Sequence, residues 1–250
     1  MMRAIVLSAG QGSRLLPLTM DRPKCLLPVG SRSVLQWQIE ALGQSREIDE
    51  VVVVTGFKAA MVEDALSRMP SAGTRVTTIF NPFYAIADNL ASCWMARDFM
   101  DGDFMIVNGD SLFEVAVLPR IIDGAAAAIN LTVNRKSAYD SDDMKVSLNG
   151  DRVSAVGKTL MPSETDAESI GLVIFKGDGP ARFRATMDIS MREGWGVGAW
   201  YLQVIDRLAK EGHVGATDIG NLGWGEIDFP SDLEAVSRLA AQWERLRIVA

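Results

Sequence analysis

The sequence has few cysteines and a single histidine. Cys25 and Cys93 are the two cysteines among 250 residues, and His213 is the one histidine. Thiols so far apart in sequence argue against a disulfide framework or a cysteine metal cluster, so a reducing, cytoplasmic location is expected. His213 follows a predicted helix in a loop, and we do not expect it to take part in catalysis.

The chain also lacks an excess of basic charge and a long apolar run. It carries 25 Lys and Arg against 32 Asp and Glu, a net charge of −7. A general nucleic-acid binder needs a basic footprint, so nucleic acid is not an expected partner, although a local basic pocket for phosphates is compatible with this charge. The first apolar run, residues 4–7, is too short to cross a membrane and is interpreted as a buried strand. No membrane insertion is expected.

The first half alternates strand and helix patterns. Continuous apolar strands that alternate with helices predict a mainly parallel sheet covered on both faces. The predicted fold class is therefore α/β, a Rossmann-like three-layer α/β/α sandwich with a mainly parallel, mixed sheet. The predicted strands are Ala4–Ser8, Val51–Thr55, Arg75–Phe80 and Phe104–Asn108, and the predicted helices are about Val34–Leu42, Lys58–Arg68 and Asn89–Phe99.

The second half mixes patterns. Alternating residues on either side of Asn149-Gly150 predict a β-hairpin. Together with a strand at Glu168–Phe175, this predicts a small antiparallel subregion beside the sheet. Further predicted elements are helices at about Ala181–Arg192, Ala199–Lys210 and Ser231–Arg247, and a short strand at Trp224–Asp228. We predict one domain over residues 1–250, with halves at about 1–133 and 134–250.

The most informative segment follows the first predicted strand. This phosphate loop, residues 8–24, reads Ser-Ala-Gly-Gln-Gly-Ser-Arg-Leu-Leu-Pro-Leu-Thr and ends in Pro-Lys. Ligands of open α/β sheets bind beyond the carboxyl ends of strands, where a glycine-rich turn offers backbone N–H groups to an anion. Arg14 adds a planar fork of donors for phosphate oxygens and Lys24 adds a point charge. The Rossmann fingerprint fails because Leu15 stands where glycine is required, and the P-loop pattern fails as well.

The complete string resembles the signature of the sugar-phosphate nucleotidyltransferase superfamily, G-x-G-[ST]-R-x-x-P-L-T-x-x-x-P-K, at every fixed position. Within that superfamily the chain looks closest to the bacterial choline-phosphate cytidylyltransferase branch. The segments that suggest this branch are Asn81-Pro82-Phe83-Tyr84, Asp88-Asn89-Leu90-Ala91-Ser92 and Glu226-Ile227-Asp228. Ser8 departs from the family, which usually has alanine there.

The resemblance implies an enzyme that joins an NTP to a small phosphorylated acceptor and releases pyrophosphate. The branch favours CTP over UTP or dTTP. Arg14 and Lys24 would be catalytic, since they would neutralise charge that develops on the phosphates. The acceptor phosphate is already an anionic nucleophile, so no protein base is needed. The residues expected to bind the nucleotide are Leu7, Ala9, Gly10, Gln11, Gly12, Ser13, Arg14, Asn81, Ala87 and Asn89.

Two aspartates follow predicted strands and are candidates for a metal site. Asp110 comes after the strand at Phe104–Asn108, and Asp228 ends the short strand. Mg²⁺ prefers one or two carboxylates together with substrate phosphates and water. The resemblance implies that Asp110 and Asp228 share the catalytic Mg²⁺. Glu226 is the competing second ligand, and each aspartate could instead cap a turn or a helix.

The acceptor is expected on the second half of the chain. Lys158 resembles the family lysine that contacts the acceptor phosphate. Aromatic and acidic residues nearby would suit a cationic head group through cation–π attraction, although plain core packing explains aromatics as well. Met144 stands where choline-specific relatives carry an aromatic residue, so a phosphorylated polyol, an aminoalkyl phosphonate or a sugar stays open. The acceptor-binding candidates are Lys158, Lys145, Glu168, Trp200 and Tyr201.

Other functions fit parts of the pattern. A sugar-1-phosphate uridylyl- or thymidylyltransferase is the alternative enzyme. A non-catalytic nucleotide-binding regulator would be expected to lose the Arg/Lys pair or the metal carboxylates, all of which this chain keeps. A Rossmann dehydrogenase is disfavoured by Leu15. The sequence is compatible with a homo-oligomer and does not specify one.

Overall fold

Alternating β-branched and amphipathic segments build a mixed β-sheet with helices on its faces. The computed structural model describes residues 1–69 and 73–249. The strands of the described chain are β1 (Met2–Ser8), β2 (Pro28–Val29), β3 (Arg32–Ser33), β4 (Ile48–Thr55), β5 (Arg75–Phe80), β6 (Phe104–Asn108), β7 (Ser111–Phe113), β8 (Ile129–Asn134), β9 (Lys145–Asn149), β10 (Arg152–Val156), β11 (Ala167–Phe175), β12 (Val214–Asp218) and β13 (Trp224–Glu226). The helices are α1 (Val34–Gly43), α2 (Ala59–Arg68), α3 (Asn89–Met95), α4 (Val117–Gly124), α5 (Gly179–Arg192), α6 (Tyr201–Lys210) and α7 (Pro230–Val249). None of the helices in the described residues is both long and apolar enough to cross a membrane.

Nine of these strands pair in the order β5-β4-β1-β6-β11-β8-β12-β10-β9. The pairs β1–β4, β1–β6 and β4–β5 are parallel, so their carboxyl ends meet at one edge. Leu7 stands opposite Asn108 in the β1–β6 register. The phosphate loop after β1 and the Gly109-Asp110 turn after β6 therefore leave the sheet side by side.

The second half of the sheet is largely antiparallel. β11 runs against both β6 and β8, and β9–β10 forms the predicted hairpin through Gly150 at φ 61°. The expectation of a mainly parallel sheet thus holds for the first half of the chain only. β8, β12 and α4 were not predicted. β12, Val-Gly-Ala-Thr-Asp, is a strand because it pairs in parallel with β8, and its own residues carry little β preference.

Apolar side chains fill both faces of the sheet. Ala4 and Val6 of β1 point into a core shared with α1, α2 and α4, whereas Ile5 points into a core shared with α3, α5 and α6. This alternation is what a strand covered on both sides requires.

A third, smaller core lies beneath the phosphate loop. Leu15 and Ile227 are fully buried there together with residues of α1 and α7. Trp37 and Trp243 meet edge to face, with ring centroids 6.2 Å apart. Since Leu15 follows Arg14 and Ile227 precedes Asp228, this core fixes the backbone beside both functional side chains.

Candidate active site

The phosphate loop is held by contacts of its own. Gly12 adopts φ 78°, in the left-handed region, and a Cβ there would lie 3.0 Å from the Lys24 side chain. Both features favour glycine. The Thr19 hydroxyl donates a hydrogen bond of 2.8 Å to the Gly12 carbonyl. The stem of Lys24 therefore lies against the turn that precedes Arg14.

The four predicted charged residues meet at one place. The Lys24 ammonium lies 2.8 Å from a carboxylate oxygen of Asp110 and 2.7 Å from one of Asp228. The Arg14 guanidinium lies 2.9 Å from the same Asp228 oxygen. Burial disfavours the charge on Lys24, but attraction to Asp110 and Asp228 outweighs it and raises the pKa of Lys24. Two carboxylates here share one ammonium.

Glu226 lies next to this cluster, and its pKa depends in part on the charges there. It sits on β13, opposite Ser111 of β7. Burial, together with the charges of Asp110 and Asp228, raises the pKa of Glu226 to about 8. The negative charges of Asp110 and Asp228 thus reach Glu226 and add to the effect of burial in disfavouring its ionised form.

The carboxylates fit Mg²⁺ as a partial ligand set. Among the described residues, no group of three His, Cys, Asp or Glu side chains is arranged to hold a metal ion. Asp110 and Asp228 would supply two protein ligands. That number suits Mg²⁺, which usually completes its shell with substrate phosphates and water.

Sequence reasoning missed Gln38, which holds the turn that carries Asp110. Gln38 is a buried residue of α1. Its Nε2 donates hydrogen bonds of 2.7 Å to the Asn108 carbonyl and 2.8 Å to the Ser111 carbonyl, on either side of Asp110. A polar residue on the buried face of a predicted helix was the available signal.

Lys158 and Trp200, both predicted on the acceptor side, come together. The Lys158 ammonium lies 5.2 Å from the centre of the Trp200 ring and 2.7 Å from a carboxylate oxygen of Asp142. Asp142 also accepts a 2.5 Å hydrogen bond from Arg14. An unbroken set of ion pairs thus runs from Lys24 through Arg14 to Lys158.

Lys145, Tyr201 and Glu168, which were predicted to contact the acceptor, are buried and bond to other protein groups. The Lys145 ammonium donates to the Lys158 carbonyl at 3.0 Å. The Tyr201 hydroxyl donates to Asn108 Oδ1 at 3.0 Å. These two residues support others that stand closer to the cleft.

The buried carboxylate of Glu168 forms an ion pair with Lys136. The Lys136 ammonium lies 2.8 Å from oxygens of both Glu168 and Asp143. Burial raises the pKa of Glu168, whereas Lys136 outweighs burial at Asp143 and lowers the pKa of that carboxyl. In this arrangement Glu168 stabilises the loop before β9.

Asn81, predicted to bind the nucleotide, is also buried, and both ends of its amide form hydrogen bonds within the protein. Its Nδ2 donates to Ser92 Oγ at 3.0 Å and its Oδ1 accepts from the Phe83 N–H at 2.9 Å. Its side chain therefore orders the loop that precedes α3.

The charged cluster lines a cleft of about 350 Å³. The predicted residues on its wall are Leu7, Gly10, Gly12, Ser13, Arg14, Lys24, Asn89, Asp110, Trp200 and Asp228. Residues on the wall that were not predicted as site residues are Ser8, Cys25, Asp88, Asn108 and Gly109. Three predicted nucleotide contacts, Ala9, Gln11 and Ala87, lie outside this wall. Ala9 is buried in the core, and Gln11 and Ala87 bond within their own loops, to the carbonyls of Thr19 and Phe83.

Comparison with known proteins identifies related enzymes. CMP-5'-(3-aminopropyl)phosphonate synthase from Streptomyces rubellomurinus is 31% identical over 99% of this chain, which spans 40% of that protein's length. CTP:phosphoglutamine cytidylyltransferase from Campylobacter jejuni is 26% identical, over 93% of this chain and 98% of its own length. The chain therefore corresponds to less than half of the first relative and to nearly all of the second.

Solved structures share the fold. The inositol-1-phosphate CTP transferase from T. maritima superposes with a TM-score of 0.81 at 23% identity, covering 98% of this chain and 96% of that one. The CTP:phosphocholine cytidylyltransferase from Streptococcus pneumoniae gives 0.78 at 19% identity, covering 96% and 99%. The model of the nucleotidyl transferase family matches residues 3–142, more than half of the sequence. The resemblance read from the phosphate loop is confirmed, and the chain belongs to the nucleotidyl transferase family.

Proposed function

We propose that the chain transfers CMP from CTP to a small phosphorylated or phosphonylated acceptor and releases pyrophosphate. The convergence of Arg14, Lys24, Asp110 and Asp228 in one cleft carries this proposal. Arg14 and Lys24 belong to the phosphate loop, whereas Asp110 follows β6 and Asp228 follows β13. Three segments that are far apart in sequence therefore supply the four side chains, and a purely structural role would not require them to meet. The similar proteins that use CTP or form CMP conjugates support the choice of base.

The proposed reaction is a single displacement. A phosphate oxygen of the acceptor attacks the α-phosphorus of the nucleotide, the bond to the β-phosphate breaks, and pyrophosphate leaves with the bonding electron pair. The nucleophile is anionic at neutral pH, so no proton has to be removed. Catalysis then consists of positioning and charge stabilisation, which the amides around Gly12, the Arg14 fork and the Lys24 ammonium supply.

Asp110 and Asp228 would hold Mg²⁺ in this proposal. The ion supplies positive charge next to the reacting phosphates when bound. Lys24 approaches both carboxylates, so it keeps their negative charges close together and also faces the phosphates. Gln38 keeps the Asp110 turn in place from below.

The acceptor would lie against Lys158 and Trp200. Lys158 offers a cation for a phosphate or phosphonate group, and Trp200 offers an aromatic face 5.2 Å away.

We further propose that residues of about 1–133 and 134–250 are the nucleotide-binding and acceptor-binding halves of one Rossmann-like three-layer domain. Helices that pack on both faces of the sheet support the layered arrangement. A homo-oligomer is compatible with this division and is not needed for it, because the proposed site uses residues of one chain.

A pyrophosphate-release assay tests the proposal. Four NTPs are combined with phosphocholine, phosphoethanolamine, 3-aminopropylphosphonate, glycerol phosphate and glucose 1-phosphate in the presence of Mg²⁺. We expect release with CTP that requires one of the four non-sugar acceptors. No release with any pair, or release that is independent of the acceptor, would contradict the proposed transfer.

A further inference from the structure

Asp142 connects the phosphate loop with the segment that follows the β9–β10 hairpin. One of its carboxylate oxygens lies 2.5 Å from the Arg14 guanidinium and the other lies 2.7 Å from the Lys158 ammonium. Arg14 belongs to the phosphate loop, and Lys158 follows the β9–β10 hairpin. A single anion therefore bridges the cation assigned to the nucleotide and the cation assigned to the acceptor.

The loop that carries Asp142 does not depend on this carboxylate for its shape. Asp140 Oδ1 accepts the backbone N–H groups of Asp142 and Asp143 at 2.7 and 3.1 Å. The Asp143 carboxylate accepts from the Asp140 N–H at 2.7 Å and from Lys136 at 2.8 Å. In the described chain, the bonds of the Asp142 carboxylate run to Arg14 and Lys158 instead.

These ion pairs are partly exposed to water. The side chains of Arg14, Asp142 and Lys158 are 45%, 37% and 26% exposed. Pairs of this kind contribute little free energy and exchange readily. Hydrogen bonds from Lys158 and Arg14 lower the pKa of Asp142, so the carboxylate stays charged at neutral pH.

Substrate phosphates should bind Arg14 and Lys158 more strongly than the Asp142 carboxylate does. An acceptor phosphate and the triphosphate of a nucleotide each carry more negative charge and more acceptor oxygens than one carboxylate, and phosphate oxygens can accept two donors of an arginine side by side. In the proposed reaction, the acceptor phosphate and the α-phosphate of the nucleotide must touch. Cations that serve these two groups should converge on one anionic position, and Asp142 fills such a position between Arg14 and Lys158.

We propose that Asp142 is a built-in competitor of both substrates, which holds Arg14 and Lys158 together in the free enzyme and is displaced when phosphates bind. This inference rests on the proposed roles of Arg14 and Lys158. It predicts that Asp142 lowers the affinity for CTP and for phosphate, in contrast to a residue that orients Arg14 for catalysis.

The test measures binding without turnover. CTP with Mg²⁺ and, separately, inorganic phosphate are titrated calorimetrically into the full chain, its Asp142→Asn variant and an Asp98→Asn control. Asp98 is exposed on the 3₁₀ turn Arg97–Phe99. The Phe99 carbonyl of this turn accepts a hydrogen bond from Arg3 at the amino end of β1, and the cleft lies at the opposite, carboxyl end of that strand. We expect Asp142→Asn to bind both ligands about three- to tenfold more tightly, and Asp98→Asn to match the wild type.

Two further variants separate competition from a general change in charge. In an Arg14→Ala background the gain for CTP should vanish, and in a Lys158→Ala background the gain for phosphate should vanish. Unchanged or weaker binding by a folded Asp142→Asn protein would overturn the inference. Pyrophosphate release by the wild type, measured in parallel, decides the proposed function separately.

Discussion

The two halves of the molecule place their functional groups by different means. In residues 1–133, the carboxyl ends of parallel strands bring the phosphate loop and Asp110 to one edge, and glycine at positions 12 and 109 permits close backbone approach. In residues 134–250, buried side chains do this work. Lys145 binds the Lys158 carbonyl, and the buried carboxylates of Asp143, before β9, and Glu168, on β11, both bind Lys136.

This difference has a functional consequence. A site built from strand ends and backbone turns changes only if the sheet changes, so the reaction type is fixed by the fold. A site built from side-chain contacts in loops can be altered by a few substitutions, which is how one fold comes to serve different acceptors. Mutations in the first half should therefore affect turnover. Apart from those at the proposed metal site (Asp228 and its neighbour Glu226), mutations in the second half should affect the choice and binding of the acceptor.

The largest effect is expected at Lys24. Lys24→Ala removes the cation shared by Asp110 and Asp228, and kcat should fall by about 10²-fold or more, as loss of transition-state charge stabilisation usually causes. The matched control is Lys58→Ala, which removes an equal charge whose partner is the exposed Asp21. Steady-state kinetics on both variants check this, and a near-normal rate in folded Lys24→Ala protein would argue against the site.

Removal of the metal ion or of its ligands should lower activity about as much as Lys24→Ala does. EDTA should abolish activity and added Mg²⁺ or Mn²⁺ should restore it, while Asp110→Asn should remain inactive at saturating metal. Asp228→Asn and Glu226→Gln, assayed side by side, identify the second ligand. Full activity in Asp228→Asn with none in Glu226→Gln would transfer that role to Glu226.

Gln38, a buried residue of the first half, supports the turn that carries Asp110. Gln38→Leu leaves two carbonyls without their donor and loosens the Asp110 turn, so kcat should fall about tenfold and the free energy of unfolding by about 1–3 kcal/mol. Gln36→Leu is the control, because Gln36 lies on the same helix and bonds Glu40. Urea unfolding and kinetics of the two variants separate the outcomes, and equal behaviour would remove Gln38 from the site.

The smallest effect is expected at Lys145, in the second half. Lys145→Met removes the bond to the Lys158 carbonyl, so KM for the acceptor should rise a few-fold while KM for CTP stays the same. Lys210→Met, an exposed change on α6, serves as the control. An equal rise in both KM values would mean that the two halves are not functionally separate.

The site residues also differ in how well the sequence predicts them. Residues next to predicted strands were predicted, whereas residues whose partners lie far away in the sequence were not. The phosphate loop, Asp110 and Asp228 were predicted as site residues because the family resemblance and the strand patterns beside them point to these positions, and the structure brings them together. Asn108 was missed although it ends β6, because its role depends on the Tyr201 hydroxyl, 93 residues away. Gln38 and Asp142 were missed as site residues for a similar reason, since their partners are set by the folded chain.

The buried acceptor candidates show that a residue's position in the sequence does not specify what its side chain contacts. Lys145, Glu168 and Tyr201 are polar residues in the correct region, yet burial turns their groups inward. A single sequence marks such residues as unusual without showing whether they face a ligand or a neighbouring side chain. The strand at β11 was predicted as part of an antiparallel subregion, but its place between β6 and β8 was not, because the apolar pattern of a fully buried strand does not specify its neighbours.

The most direct test of the account compares kcat/KM for CTP and UTP with small amino or alcohol phosphates and with glucose 1-phosphate. We expect CTP together with phosphocholine, phosphoethanolamine, 3-aminopropylphosphonate or glycerol phosphate to give the highest value. We also expect Lys158→Ala to lower that value through KM for the acceptor. A preference for UTP or dTTP with the hexose phosphate would contradict the proposed substrates and leave only the reaction type standing.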